Sequence, residues 1–526
     1  MDLQISRGKL MLASFLTLVA SGVGFATRTA AGTDWETEFG IDGGEFGAIL
    51  GAGFLGFGIM IFFGGILVEA FGYKKLLVLA FVMHLISAGM LFAANPLFES
   101  WQQADPETAT ARVYSLLFWS AFLFSICQGL YEAVINPLIA QIYPENKTHY
   151  LNILHAGWPG GMIIGGLFAA GFIGPDAWFV QIPWQWGLSS FAIIVLAYGI
   201  LALPERFPDT VGESSKAGFA TVFSCFLSIP FLVLIVLHGM IGYMELGVDS
   251  WMTKLMANVL PNAVLILVYT SALMFVLRFF AGPIVHRINP IGLLLGSAII
   301  ACLGLLWLGM PTESVLMVFA AATFYSFGKA FLWPTMLGVA GERYPQSGAI
   351  AMGALGAAGM LTVGQVANPR IGAQQGYHMS QHLQEQAPET FARYRDDETK
   401  SSWGYEYTPI APVKLGAVNQ IKEVGEEGFS NLESIREADL LTAEQKEMMI
   451  EHAQQDIPAV QAAYVAGGRQ TLTSTAIVPF AMAIGFAGLL VYYFTQGGYK
   501  PVELYEESEE EEEVAHGMGE PAPAEY

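Results

Sequence analysis

Twelve stretches of this chain are apolar over about 20 residues each, the length a helix needs to cross the hydrocarbon core of a bilayer. They lie at about 10–27, 45–68, 76–94, 113–142, 150–174, 186–203, 221–247, 262–285, 291–310, 315–341, 348–368 and 471–494. In lipid the backbone finds no water to bond, so such a repeated pattern admits a bundle of helices and little else. With 54% hydrophobic and 13% charged residues among 526, the chain reads as an all-α, multi-pass membrane protein. Met1–Lys9 is short and basic ahead of the first apolar run, as in a cleaved signal peptide, but eleven further spans favour a retained first helix.

The formal charge of −22 is concentrated rather than spread. Ten acids fall between Pro501 and Tyr526, and sixteen acids against nine bases lie in 369–470. The remainder is mildly acidic and carries no nucleic-acid footprint. Cys127, Cys225 and Cys302 all sit inside expected spans without ligand-like spacing, so neither a metal nor a disulfide framework is expected. The sequence has no Gly-x-x-x-x-Gly-Lys phosphate loop, so no cofactor or enzymatic activity is expected.

With the N-terminus inside, the inner loops collect Arg7, Lys9, Lys74, Lys75, Lys147, Arg206, Lys216, Arg287, Arg343 and Lys500, while the short outer loops hold Arg112 and Lys254. By the positive-inside rule both termini are then cytoplasmic. The expected division is a first six-helix bundle (1–205), a central cytoplasmic linker (206–220), helices seven to eleven of a second bundle (221–368), an extracytoplasmic insertion (369–470), helix twelve (471–494) and an acidic cytoplasmic tail (495–526). At about a hundred residues the insertion is too long for an ordinary connection; it reads as a small lid, a partner surface or an unstructured insert. The glutamates from Glu506 to Glu513 repel one another and are expected to stay solvated.

The two halves echo each other. Gly65-Ile66-Leu67-Val68-Glu69-Ala70-Phe71-Gly72-Tyr73-Lys74-Lys75 follows the second span, and Gly282-Pro283-Ile284-Val285-His286-Arg287-Ile288-Asn289 follows the eighth. Spans four and ten each carry a proline, Pro137 or Pro334, and end in Tyr-Pro, at Tyr143-Pro144 and Tyr344-Pro345. Two copies of a six-helix unit account for this.

Gly65, Leu67, Glu69, Gly72, Lys74 and Lys75 resemble the signature of the major facilitator superfamily, in which glycines allow close helix approach and the charges latch an inner gate. Glu132-Ala133, Asn136-Pro137, Pro144-Glu145 and Leu151-Asn152, with Arg278-Phe279-Phe280-Ala281-Gly282 and Trp333-Pro334-Thr335, are similar to the fucose–glucose–proton symporter family. The resemblance implies a twelve-helix transporter of two six-helix bundles working by alternating access, functional as a monomer and resident in a bacterial inner membrane. It implies Glu132 as a proton carrier. The chain departs from the family in having Arg28 where a carboxylate or amides are common, His155 where a glutamine is familiar, and the long insertion.

Ionisable residues at membrane depth are costly and mark function. Here they are Arg28, His84, Glu132, His155, His238, Glu245, Arg278 and Lys329. In the implied fold spans one, four, seven and ten line the cavity, so Arg28, Glu132, Glu245 and Lys329 are expected to converge and pair across it. Burial and an approaching cation shift a carboxylate's proton affinity in opposite senses, which makes Glu132, with Glu245 as a second acid, the candidate proton-coupling site; a permanently ionised structural pair is the competing reading. Arg28, Asn136, Asn152, His155, Lys329 and Trp333 are candidate substrate ligands. Gly65, Glu69, Gly72, Lys74, Arg278 and Arg287 are candidate gate residues. The expected function is proton-coupled uptake of a small polar solute, a monosaccharide first. An anion, phosphorylated-solute or nucleoside carrier using Arg28 and Lys329 is the alternative, and a non-transporting receptor or assembly subunit is the alternative of another class.

Overall fold

The computed structural model describes residues 5–30, 35, 38–39, 43–173, 178–180, 182–210, 223–256, 264–419, 421, 432–436 and 441–502. The acidic run after Glu503 and most of the expected linker lie outside the described residues. Among the described residues, eleven helical stretches are long and apolar enough to cross a membrane. The expected span 262–285 corresponds to a shorter apolar helix, Leu265–Arg278, because the chain breaks at Phe279-Phe280 before restarting at Ala281.

The first half consists of α1 (Arg7–Ala30), α2 (Gly43–Phe71), α3 (Tyr73–Ala104), α4 (Pro106–Ile142), α5 (Lys147–His155), α6 (Gly157–Phe172), α7 (Trp184–Leu188) and α8 (Phe191–Ala202). Here α4 packs along both α2 and α3, and α1 lies against α6 and α8. Gly157, Gly161 and Gly165, four residues apart on α6, face α1. A Cβ on Gly161 would lie 2.3 Å from the Val19 carbonyl oxygen, so backbones touch only because these positions carry no side chain.

The second half consists of α9 (Ile229–Gly242), α10 (Val248–Leu255), α11 (Val264–Arg278), α12 (Ala281–Leu308), α13 (Val315–Lys329), α14 (Leu332–Arg343) and α15 (Gly348–Thr362). A π turn at Tyr243–Gly247 joins α9 to α10, and a second at Val363–Ala367 continues α15; the two turns pack on each other. The halves meet where α2 lies on α15 and α6 on α11. Each of these contacts becomes the other when the halves are exchanged, as duplication requires. A third junction sets α5 against α14.

The Tyr-Pro echo is structural. Tyr143 (φ −126°, ψ 60°) and Tyr344 (φ −130°, ψ 51°) end their helices alike, and a 3-10 turn beginning at the proline follows each. The proline echo is not: Pro137 lies inside α4, whereas Pro334 falls in the first turn of α14 just after the helix breaks at Ala330-Phe331. The fixed φ of a proline suits the first turn of a helix.

Region 369–470 is folded where it is described. Its elements are α16 (Asn368–Gln386), α17 (Pro388–Tyr394), β1 (Lys400–Ser402), β2 (Tyr405–Tyr407), α18 (Pro412–Asn419), α19 (Glu433–Arg436), α20 (Ala443–Glu451) and α21 (Ala453–Thr475), followed by α22 (Ile477–Thr495). The long helices α16 and α21 prolong spans eleven and twelve and pack on each other. Around them Leu383, Tyr394, Val418, Ile435, Met449 and Ile457 form a core separate from that of the bundle. Buried Asp456 accepts from Thr390 Oγ1 at 2.7 Å and Arg393 Nε at 2.8 Å.

Candidate functional site

Every residue from Cys127 to Ala140 on α4 is buried, so this stretch faces neighbours on all sides and Glu132 has no lipid-facing escape. One turn on, Asn136 Oδ1 accepts from His155 Nε2 at 2.9 Å, which places the imidazole proton on Nε2. Asn136 lies four residues after Glu132, on the same face of α4. The Glu132 carboxylate oxygen Oε2 has no hydrogen-bond partner among the described residues: Glu132 is buried with that atom unserved. His155 and Asn136 thus carry a hydrogen bond from the boundary between the halves to the helix face that bears Glu132.

Arg278 closes that boundary, and two prolines explain why it does. In a helix the carbonyl of residue i accepts from the N–H of residue i+4. His155 is followed at that distance by Pro159, and Ala330 by Pro334, so both carbonyls lack their ordinary donor. Arg278 supplies it to both: Nη1 donates to the His155 carbonyl in the first half, and Nε to the Ala330 carbonyl in the second, at 2.8 Å. Its Nη2 donates to Glu245 Oε1 at 2.7 Å. From the sequence, Arg278 is expected at the inner gate together with Arg287. The guanidinium is instead 2% exposed, because the break after α11 turns it inward, while Arg287 is exposed.

Lys329 Nζ lies 2.6 Å from both carboxylate oxygens of Asp249 and 5.2 Å from the centre of the Tyr325 ring. Asp249 is not among the ionisable residues that the sequence reading singles out for the site; its place four residues after Glu245 was the available signal. Both ion pairs therefore lie within the second half and do not cross between halves as expected. The expected convergence of Arg28 on Glu132 is also absent. Arg28 stacks on Phe124, 3.7 Å from the ring centre, and its Nη2 approaches Ser87 Oγ at 3.5 Å, in the interior of the first half.

A further side-chain bond crosses the boundary: Asn152 Nδ2 donates to Thr335 Oγ1 at 3.1 Å. Within the second half, Trp333 packs its ring 4.4 Å from that of His238, whose two nitrogens have no hydrogen-bond partner among the described residues. Gln128 Nε2, Asn152 Oδ1 and Glu245 Oε2 are likewise buried without partners. Buried polar groups are nearly always bonded, so a set of exceptions mixing donors and acceptors is suited to a ligand rich in hydroxyls.

Of the remaining gate candidates, Gly65 lets α2 approach the Ala349 carbonyl, Gly72 takes φ +79° between α2 and α3, and Lys74 Nζ donates to the Glu205 carbonyl at 2.9 Å. Glu69 is half-buried near the end of α2. Among the described residues no group of His, Cys, Asp and Glu is arranged to hold a metal.

The sequence pattern of the Major Facilitator Superfamily matches residues 10–364. The chain belongs to that superfamily. It is accordingly an integral, multi-pass membrane protein of a transporter family. Superfamily members of known structure share the fold. The proton:xylose symporter XylE, bound to 6-bromo-6-deoxy-D-glucose, has 15% identity and a TM-score of 0.56, over 68% of this chain and 87% of that one. FucP in the outward conformation has 18% identity and a TM-score of 0.54, over 70% and 91%. The human organic anion transporter MFSD10 has 13% identity and a TM-score of 0.54, over 92% and 100%. At these identities the likeness is one of fold. No curated protein sequence matches the chain.

Proposed function

We propose that this superfamily member carries a small neutral polar solute, a monosaccharide first, inward together with a proton by alternating access. One observation carries the reading. In the buried layer Glu132, Glu245 and Asp249 face Arg278 and Lys329, and both cations are engaged by second-half acids, leaving Glu132 without an ion-pair partner among the described residues. An ionised carboxylate at that depth costs roughly 2.5 kcal/mol or more. A proton removes the cost, so closure of the halves around Glu132 is tied to proton uptake. The unpaired donors and acceptors on α4, α5 and α9 supply hydrogen bonds of both senses, as sugar hydroxyls require, and Trp333 supplies an apolar face.

The same reading takes twelve spans in two six-helix bundles, both termini in the cytoplasm, 369–470 on the opposite side, and a monomer as the working unit. A second reading, an organic-anion carrier, has Arg28 in its favour, since a guanidinium buried against Phe124 and Ser87 is suited to a carboxylate. Uptake by proteoliposomes under an imposed pH gradient separates the two. Accumulation of a neutral sugar, abolished by a protonophore, supports the first reading. Exchange of organic anions with no response to sugars refutes it.

A further inference from the structure

The chain beyond the last span turns back onto the bundle. Helix α22 ends at Thr495, and Gly497 and Gly498 take φ of +86° and +100°, left-handed backbone that glycine adopts without strain. The Gly498 N–H donates to the Tyr493 carbonyl at 2.9 Å, closing the turn. Tyr499–Val502 then runs along the end of α14. Tyr499 Oη donates to Glu342 Oε2 at 2.6 Å, the Val502 N–H to the Glu342 carbonyl at 2.7 Å, and Arg343 Nη1 to the Lys500 carbonyl.

Glu342 is also where the halves join. Its other oxygen, Oε1, accepts from Thr148 Oγ1 at 2.7 Å, and Thr148 belongs to α5 in the first half. Beside it Lys147 Nζ donates to the Gly341 carbonyl at 3.1 Å. A carboxylate in the last turn of a helix opposes the helix dipole, and this one is 9% exposed, so its donors are what hold it in place. When α5 and α14 separate, the Thr148 bond is lost while the Tyr499 bond stays with the second half.

We propose that Tyr499–Val502 is a strap built into this gate. It fixes the Glu342 carboxylate in the orientation that bonds Thr148 and shields that bond from water. The strap therefore favours the state in which α5 and α14 are joined, and whatever draws the C-terminal segment away releases them. Tyr499 is a positioning residue, acting through Glu342.

The test places spin labels at Glu145→Cys and Gln346→Cys, two exposed positions flanking the junction, in the full chain reconstituted in nanodiscs with Cys127, Cys225 and Cys302 replaced by alanine. Pulsed dipolar spectroscopy reads the ratio of separated to joined populations. Ending the chain at Gly498 is expected to raise that ratio about tenfold, equivalent to about 1.4 kcal/mol, and Tyr499→Phe about threefold. Ending it at Val502 should change nothing. Thr148→Val should shift the ratio alone but add little once Tyr499 is Phe, since both act through one carboxylate. Should the shorter chain fail to fold, the Tyr499→Phe and Thr148→Val cycle carries the test. Additive effects in that cycle, an unchanged ratio in folded Tyr499→Phe, or a full shift on ending the chain at Val502 would each overturn the proposal.

Discussion

Replacing Arg278 with lysine keeps the charge and removes the fork. A lysine ammonium can retain Glu245, but it cannot also serve the Ala330 and His155 carbonyls, which lie on different helices in different halves. Hydrogen bonds to charged groups contribute about 1.5–3 kcal/mol each. The Ala330 bond lies within the second half and persists in every state, so its loss lowers stability alone. The His155 bond exists only while the halves are joined at that level, so its loss also shifts the conformational equilibrium. A deficit of about 1.5 kcal/mol or more moves the ratio of separated to joined states at least about tenfold. The spin-label pair at positions 145 and 346 reads that ratio, with thermal melting followed in parallel. Pro159→Ala gives an independent handle. It restores the N–H that the His155 carbonyl lacks, relieves that carbonyl of its need for Arg278 and should move the ratio in the same direction without altering any charge. If folded Arg278→Lys and Pro159→Ala both stay within twofold of the unmodified chain, the reasoning that joins the prolines to Arg278 is wrong.

Lys329→Met strands Asp249 in the interior, and breaking a buried pair from one side costs about 3–5 kcal/mol; melting should fall accordingly, and adding Asp249→Leu should recover most of the loss. A double variant as unstable as the single one would contradict the pairing. Asp456→Ala removes the acceptor of Arg393 and Thr390. Because the Arg393 side chain is 19% exposed and can turn to water, the loss should be smaller, about 2 kcal/mol. It should appear as faster proteolysis within 369–470 with solute transport retained, and unchanged proteolysis would show that the pair does not hold this region together.

The spans were legible because a bilayer demands length and apolarity, and both are written in runs of about 20 residues. Glu132 stood out for the same reason in reverse, as a charge where charge is expensive. Partner choice was harder to read. Spans one, four, seven and ten were set side by side from the family plan, and that plan does not say how far a side chain reaches or where a helix breaks. The break at Phe279-Phe280 turns Arg278 inward, and the π turn at Tyr243–Gly247 shapes span seven where Glu245 sits; neither has a simple residue pattern. The role of Arg278 was nevertheless half-written in the chain. Pro159 and Pro334 each leave a carbonyl unserved four residues earlier, and a buried helix that breaks its own ladder needs a donor from elsewhere. Reading prolines for the acceptors they strand, rather than as repeat markers, would have pointed to His155 and Ala330. The strap at Tyr499–Val502 had one sequence sign, Gly497-Gly498 directly after the last apolar run.

We take Glu132, a buried acid without an ion-pair partner among the described residues, as the carrier of the coupling proton. The most direct test of that role is solute uptake by proteoliposomes containing the Glu132→Gln variant, with and without an inward pH gradient, compared with exchange of labelled for unlabelled solute at equilibrium. Glutamine preserves the shape but cannot give up or take a proton. Exchange should survive while accumulation driven by the pH gradient is lost. Accumulation that still follows the gradient in Glu132→Gln would contradict the account.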